Sequence, residues 1–478
     1  MNKPCILLCS LAIQQDYILT KHYYSLPNLG LGYLAAALGQ QEYEVKISSN
    51  VTNGKDIASI AIKLLNERPH VIGFYALSES FNCVMRIAKL IKESNHKIFI
   101  LVGGPHVTAL PESLAPFPWI DYAFRGEAEE SLPLLLKNIF SNDHLHLSQI
   151  PGLIYRNLGK ICYGDMAMVK NLDKLKMPAR ELFGNLSHYR PSLLAYKKLP
   201  ATGMLTARGC SNRCVFCQSG KGDYPLRLHS SQYVIEEMSY LKQNHAIREL
   251  IIFDDTFLVH EARAVAICEE MIRKKLNFSW SCNARVNNVN GPLLKLMKRA
   301  GCWLIQYGIE SGNQEILNNC NKKIDLKKVE AACALAYKHG LYVKGYFIFG
   351  LPGETKATLK ETTHFMQKLP IHYAAINFLT PFPGTPMWDI CDEHGYFDKS
   401  DYDKINYLSD TPPFIPKGMS VSDLTQAQRK AYIKFYLNPL TILRNLIKIN
   451  TLEDIKKLAN GFMLIWKLFS SKLLEKQT

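Results

Sequence analysis

Two series of alternating strand and helix patterns, separated by a proline-bearing stretch, constrain this chain more than any other feature. In the first series, apolar runs at Cys5–Cys9, Glu44–Ser48, Val71–Tyr75, Lys97–Gly103 and Asp121–Phe124 read as buried strands. Helical patterns at Leu29–Gly39, Asp56–Glu67, Asn82–Glu93 and Glu129–Ile139 lie between and after them. Such alternation predicts an α/β architecture with a parallel, doubly wound sheet. Sheets of this kind bind ligands at the carboxyl ends of their strands. The loops expected there are small or glycine-bearing: Asn28–Gly32, Ser78–Ser80, Gly103–His106 and Arg125–Glu129.

The second series begins near Ala201. Its strands read as Gly203–Ala207, Glu249–Phe253, Asn277–Asn283, Trp303–Gly308, Tyr342–Phe349 and Ala374–Leu379, with amphipathic helices such as Ser231–Asn244 and Pro292–Ala300 between them. Six such units predict a partial (β/α) barrel, with its chemistry at the carboxyl face by analogy with full barrels. Residues 146–198 contain Pro151, Gly152, Pro178 and Pro191 and read as a linker with a small hairpin near Leu153–Tyr163. From about residue 393 the pattern becomes helical and basic. The expected divisions are therefore 1–145, 146–198, 199–392 and 393–478.

At 478 residues the chain is long enough for two or three domains, each with its own core. A formal net charge of +15 suits an anionic partner: nucleic acid, a membrane surface, or a phosphate-bearing cofactor or substrate. Thirteen Cys, an odd number without regular spacing, argue against a disulfide framework. Met1–Ser10 is apolar but short, so it reads as a first strand rather than a signal peptide. No run of 18 apolar residues predicts a membrane span. A cytoplasmic setting fits these features.

The densest local signal is Arg208-Gly-Cys210-Ser-Asn-Arg-Cys214-Val-Phe-Cys217, directly after a strand. Three thiolates within eight residues can wrap three corners of one iron–sulfur cubane and leave the fourth iron open. A structural zinc site needs four ligands, and no second Cys pair accompanies these three. A dithiol redox pair would explain Cys214 and Cys217 but not Cys210.

The CxxxCxxC spacing, with the aromatic Phe216 before the last Cys, resembles the radical S-adenosylmethionine superfamily. Further segments stand where that superfamily places them: Ile252–Phe257, Cys282–Arg285, Gln306–Gly312, Gly345–Glu354 and Pro381–Pro386. The resemblance covers roughly residues 200–390. It implies a 4Fe–4S cluster on Cys210, Cys214 and Cys217. The open iron would be chelated by the amino and carboxylate groups of S-adenosylmethionine, whose reductive cleavage gives a 5′-deoxyadenosyl radical. It also implies that Gln306 and Glu310 hold the ribose or the methionine amino group, unless they form a buried salt bridge with Arg285. Asp254 and Asp255 would contact cofactor or substrate, unless they cap a helix. The loop at Gly350 would approach the adenine by its backbone.

The N-terminal segments Leu29-Gly30-Leu-Gly-Tyr-Leu, Val102-Gly103-Gly104-Pro-His106-Val-Thr and Arg125-Gly126-Glu127-Ala-Glu129 resemble the cobalamin-binding domain of the magnesium-protoporphyrin ester cyclase and hopanoid methylase branch. By this resemblance Leu29, Gly30, Ser78, Glu79, Ser80, Gly103, Gly104, His106, Gly126 and Glu127 line a cobalamin site. The Asp-x-His-x-x-Gly pattern of many cobalamin domains is absent. Base-off cobalamin without a protein His ligand is therefore expected, with His22 and His70 as the alternatives. The whole reads as a Rossmann-like cobalamin domain, a partial (β/α)6 radical S-adenosylmethionine barrel and a helical C-terminal region.

The function implied is a cobalamin-dependent radical C-methyltransferase acting on an unactivated carbon. The alternative is the same cofactors used for cyclisation or ring rearrangement. Transfer RNA methylthiotransferases carry three further N-terminal Cys for a second cluster and a small RNA-binding barrel at the end; here Cys5, Cys9 and Cys83 lack such a context and the tail reads helical, so nucleic acid is not the expected partner. A cobalamin or redox sensor would need neither the intact triplet nor the strand-end polar residues. The expected partners are a small-molecule or lipid-like substrate and a one-electron reductant such as a flavodoxin or ferredoxin. Residues 426–478 carry ten Lys or Arg against three Asp or Glu, with Phe462, Leu464, Trp466, Leu468 and Phe469. That pattern fits peripheral contact with a membrane, or a helix packed on the barrel.

Overall fold

The computed structural model describes residues 3–11, 26–39, 41–49, 56–141, 145–220, 224–406 and 409–447. His22 and the apolar residues Phe462, Leu464, Trp466, Leu468 and Phe469 lie outside the described residues. The chain forms two compact units.

The first unit holds strands β1 (Cys5–Ser10), β2 (Glu44–Ser49), β3 (Val71–Tyr75), β4 (Phe99–Gly103), β5 (Tyr122–Phe124), β6 (Leu153–Asn157) and β7 (Lys160–Tyr163). They form one sheet of order β2-β1-β3-β4-β5-β6-β7. Strands β1 to β5 pair in parallel, in registers such as Ile6↔Val71 and Val71↔Phe99. Burial explains the apolar runs: all six residues of β1 are inaccessible, as is the middle of β4. The order reverses between β1 and β3, where open α/β sheets bind ligands.

Helices α1 (Leu29–Leu38), α2 (Ile57–Asn66), α3 (Ser78–Ser94), α4 (Pro105–Ala109) and α5 (Ser131–Phe140) cover this sheet. Three expected loops are thus partly helical. Asn28 caps α1 by accepting from Leu31 N–H, so Leu29–Gly32 is the first turn. Ser80 Oγ accepts from Leu77 N–H at 3.0 Å, so α3 starts four residues before the expected Asn82. Pro105 opens α4 directly after Gly104. The stretch expected as a linker also differs: the β6–β7 hairpin pairs antiparallel with β5 and continues the sheet. Residues Lys399–Asn406 belong to this unit as well.

The second unit holds β8 (Ala201–Met204), β9 (Ala207–Arg208), β10 (Arg227–Leu228), β11 (Glu249–Ile252), β12 (Ser279–Ala284), β13 (Cys302–Glu310), β14 (Tyr342–Phe349) and β15 (Tyr373–Phe378). Six of them form a fully parallel sheet of order β15-β14-β13-β12-β11-β8, the expected half-barrel. Helices α6 (Ser231–His245), α7 (Glu261–Arg273), α8 (Gly291–Arg299), α9 (Gln314–Asn319), α10 (Leu326–Lys338) and α11 (Lys356–Lys368) lie between these strands in sequence, and α12 (Pro386–His394), α13 (Val421–Tyr436) and α14 (Pro439–Leu446) follow. Ser230, Asn290, Asn313, Asp325, Thr355 and Thr385 cap six of these helices through their side chains. Trp280 of β12 is fully buried and donates its Nε1–H to Ala300 O at 3.0 Å.

Candidate active site

The cysteine loop leaves the half-barrel at the carboxyl end of β8. Asp254, just past β11, holds the start of that loop. Its Oδ1 accepts from the N–H groups of Thr206 (2.6 Å) and Ala207 (3.0 Å), and its Oδ2 from the Thr206 hydroxyl. Arg263 donates to the carbonyls of Thr206 and His229, each at 2.6 Å. Burial pushes the Asp254 carboxyl up to about 6, against the pull of these donors and of Arg263. Asp255 takes the other end of the loop by accepting from Ser219. Neither Asp caps a helix, because the cap of α7 is His260.

The loop itself is pinned by backbone. Val215 N–H donates to Cys320 O (3.1 Å), Met387 N–H donates to Val215 O (2.9 Å), and Asn321 donates to Arg213 O (2.7 Å). None of the three is in a disulfide; Cys214 is buried, and Cys210 and Cys217 are half-buried. Arg285, just past β12, places Nη1 3.8 Å from Cys214 Sγ and donates its other terminal nitrogen to Lys322 O. Among the described residues no three His, Cys, Asp or Glu stand in a metal-chelating array, so the thiols share the loop without being drawn together.

At the end of β13 the register with β14 shifts between Gly308 and Glu310. Glu310 there adopts φ +67, a left-handed conformation that non-glycine residues seldom hold. Its buried carboxylate pairs with Lys322 Nζ at 2.6 Å. The salt bridge weighed with Arg285 is thus replaced by one with Lys322, because Arg285 is taken up by Cys214 and the Lys322 carbonyl. Gly308 makes the room: a Cβ there would sit 2.5 Å from Glu310 Oε1 and 2.8 Å from Lys322 Nζ. Lys322 also lies 5.9 Å from the Phe216 ring centre. Gln306 accepts from the Tyr346 hydroxyl at 2.8 Å. Past β14, Gly350 (φ +96) turns the chain, and Glu354 Oε2 accepts from the N–H groups of Gly350 and Leu351. Burial raises Glu354 to about 8.

In the first unit the expected ligand residues divide into two sets. Ser80 is spent on capping α3, and Glu127 accepts from Val169 N–H at 2.8 Å. Gly126 packs on the Ala167 backbone, where a Cβ would meet Ala167 O at 2.2 Å. His106 is fully buried, with Nδ1 3.1 Å from Ser78 Oγ and its ring 4.0 Å from Phe81 and 4.6 Å from Tyr402. His70 accepts from Cys5 N–H at the amino end of β1, opposite the strand ends where ligands bind. The other set stays available. Gly103 has nothing within 4 Å of the Cβ position, and Gly30 is exposed. Gly104 takes φ +112 and lets β4 approach the Ala76 backbone. Glu79 lies in the first turn of α3, its carboxyl raised by desolvation to about 7.

His106 supplies a pH test. Burial lowers it from an ordinary 6.5 to about 4, so the folded unit keeps it neutral while the unfolded chain protonates. Stability then rises with pH across that window and is lost as pH falls from 6.5 toward 4, by roughly 3 kcal/mol in full. Hydrogen exchange of the Ile72–Phe74 amides should show this acid loss in the wild type, and His106→Gln should flatten it. An unchanged acid slope in the variant would assign the loss to other groups.

The similarities to known proteins agree with this layout. Residues 204–366 match the Radical SAM superfamily, and residues 16–136 match the B12 binding domain. The chain is 32% identical over 425 residues to the uncharacterized methyltransferase PH0819 of Pyrococcus horikoshii, covering 88% of this chain and 90% of that protein. The chain is a cobalamin-binding radical S-adenosylmethionine enzyme. It is also 26% identical to the anaerobic magnesium-protoporphyrin IX monomethyl ester cyclase of Rubrivivax gelatinosus, over 86% of this chain and 74% of that one. In fold it resembles the cobalamin-dependent S-adenosylmethionine radical enzyme OxsB, solved with aqua-cobalamin and S-adenosylmethionine bound. That match has a TM-score of 0.73 and 19% identity, covering 97% of this chain and 72% of that chain.

The residues present fit the cofactors of a radical S-adenosylmethionine enzyme. Three thiols on one loop, none in a disulfide, would supply three ligands to a 4Fe–4S cluster. The guanidinium beside Cys214 suits an anionic thiolate cluster. In the B12 binding domain, the unfilled space at Gly103 lies at a strand carboxyl end. Sequence reasoning missed Lys322, Arg263, Thr206 and Tyr346. Nothing in their spacing marks them, since each meets its partner only through strand pairing or a long loop. The positive φ of Glu310 had no sequence signal either.

Proposed function

We propose that this enzyme transfers a methyl group to an unactivated carbon of a small-molecule substrate. The observation that carries the reading is the convergence of strand ends on one cysteine loop, in a chain that also has a B12 binding domain. Asp254 comes from β11, Arg285 from β12, Asn321 from the loop after β13 and Met387 from the segment after β15. The similarity to a methyltransferase over nearly all of both chains supports methylation rather than cyclisation. When bound, the cluster with S-adenosylmethionine supplies a carbon radical, and cobalamin supplies the methyl group.

The chain's own residues hold and orient. Cys210, Cys214 and Cys217 ligate the cluster, and Arg285 offsets its negative charge. Asp254, with Arg263, keeps the loop entrance in one conformation, a positioning role. Gln306 and Glu310 present polar groups to the ribose or the methionine amino group of S-adenosylmethionine, with Lys322 and Tyr346 holding them in place. Gly350 lets the backbone approach the adenine. Gly30, Glu79, Gly103 and Gly104 form the surface offered to cobalamin, with Leu29 buried in the first turn of α1. A flavodoxin or ferredoxin supplies single electrons.

The products of S-adenosylmethionine test the reading. A methyl transfer consumes two molecules, one yielding S-adenosylhomocysteine and one yielding 5′-deoxyadenosine. Anaerobically reconstituted enzyme with cobalamin, reductant and methyl-labelled S-adenosylmethionine, supplied with fractionated cell metabolites, should form both in equal amounts and label a product at carbon. 5′-Deoxyadenosine without S-adenosylhomocysteine or label transfer would point instead to cyclisation or ring rearrangement.

A further inference from the structure

Helix α14 packs inside out. Its polar residues face the half-barrel: Arg444 donates to Leu369 O at 2.9 Å, Asn445 donates to His372 O at 3.3 Å, and Thr441 is buried. Ile442 is half-buried, but the leucines of the helix and the apolar residues flanking it face away. Leu437, Leu440, Leu443, Leu446 and Ile447 are 40–67% exposed. These five are over a third of the fourteen large apolar side chains exposed among the described residues, gathered into eleven positions. A helix that serves only its own core shows the opposite arrangement.

A basic groove adjoins this face. Helices α11 and α13 border a cavity of about 600 Å³ lined by Lys356, Lys360, His364, Gln367, Lys430 and Lys434. Lys356 pairs with Asp423 at 2.8 Å, whereas Lys360, Lys430 and Lys434 have no ion-pair partner among the described residues. Gln367 donates to Lys434 O at 3.1 Å, and Leu437 follows Lys434 by three positions, so groove and apolar face are continuous. From Leu424 to Leu452 the sequence has five Lys or Arg and no Asp or Glu.

We propose that the α13–α14 face, with the lysine groove beside it, docks on an anionic lipid bilayer. The leucines enter the boundary between headgroups and acyl chains, and Lys360, Lys430 and Lys434 take lipid phosphates. A second copy of this chain would bring a like-charged groove toward this one, and nucleic acid would leave the leucines without a partner. The contact is peripheral: no helix of the described residues is long and apolar enough to cross a membrane.

The test uses the full-length enzyme and vesicles of phosphatidylcholine, alone or with roughly a quarter phosphatidylglycerol. Flotation at low salt should carry the protein with the anionic vesicles at least about tenfold better than with the neutral ones. Leu440→Ser/Leu443→Ser should weaken that binding by about tenfold or more, while Lys430→Glu/Lys434→Glu should erase the preference for anionic lipid. Both variants should keep wild-type iron content, which separates lost docking from lost folding. Leu443→Trp should shift its added emission to the blue on anionic vesicles. No flotation of the wild type, or equal flotation of the leucine variant, overturns the proposal. So does a dimer that the leucine variant dissociates in the absence of vesicles, which would make the face a self-association surface.

Discussion

Replacing Cys210, Cys214 and Cys217 together by Ala should leave the protein folded but without iron, and 5′-deoxyadenosine formation should fall to background. Single replacements should each prevent a stable 4Fe–4S cluster, since every thiolate holds one iron and no other ligand lies on the loop. The contrast with the remaining cysteines makes the result informative. Cys282, Cys302, Cys320 and Cys333 are fully buried, and desolvation raises the thiols of Cys282, Cys320 and Cys333. They behave as small apolar side chains. Cys320→Ala should therefore retain the full iron content, although the Cys320 carbonyl holds the loop through Val215. Iron and sulfide analysis with the visible spectrum decides the matter. A full cluster in the triple variant would remove the assignment.

Lys322→Met should destabilise the second unit by about 3–5 kcal/mol, because it strands the Glu310 carboxylate without its cation. Both side chains of the pair are only 8% exposed, so water does little to screen the loss. The double variant Lys322→Met/Glu310→Gln should recover most of that stability, since no unpaired charge then stays buried. Gly308→Ala should act in the same direction, because its methyl group would push on both partners. Chemical denaturation of the cluster-free protein measures stability apart from cofactor binding. If Lys322→Met unfolds at the wild-type midpoint, the pair contributes nothing to the fold.

Local signals in the sequence determined which elements exist. The strand–helix periods located both sheets because buried parallel strands are continuous apolar runs, and that is a property of neighbouring residues. The cysteine loop was legible for the same reason, since its three thiols lie within eight positions of one another. The start of α1 at Leu29 was legible, but the start of α3 at Ser78 was not, because a single side chain, Ser80, decided whether small residues form a loop or a first turn.

Tertiary structure alone decided the partners. Glu310 and Lys322 are twelve residues apart, joined across a bulge and a short helix, and no spacing rule connects them. The choice between Arg285 and Lys322 rested on where two loops ended. His106 looked like a ligand on its glycine-bearing loop, yet Phe81 and Tyr402, the latter almost three hundred positions away, enclose it. The exposure of Leu440 and Leu443 had no sequence signal, because an amphipathic period shows that a helix has two faces but not which one the protein covers. That depends on what the neighbouring backbone offers, and here the carbonyls of Leu369 and His372 accept from the polar side.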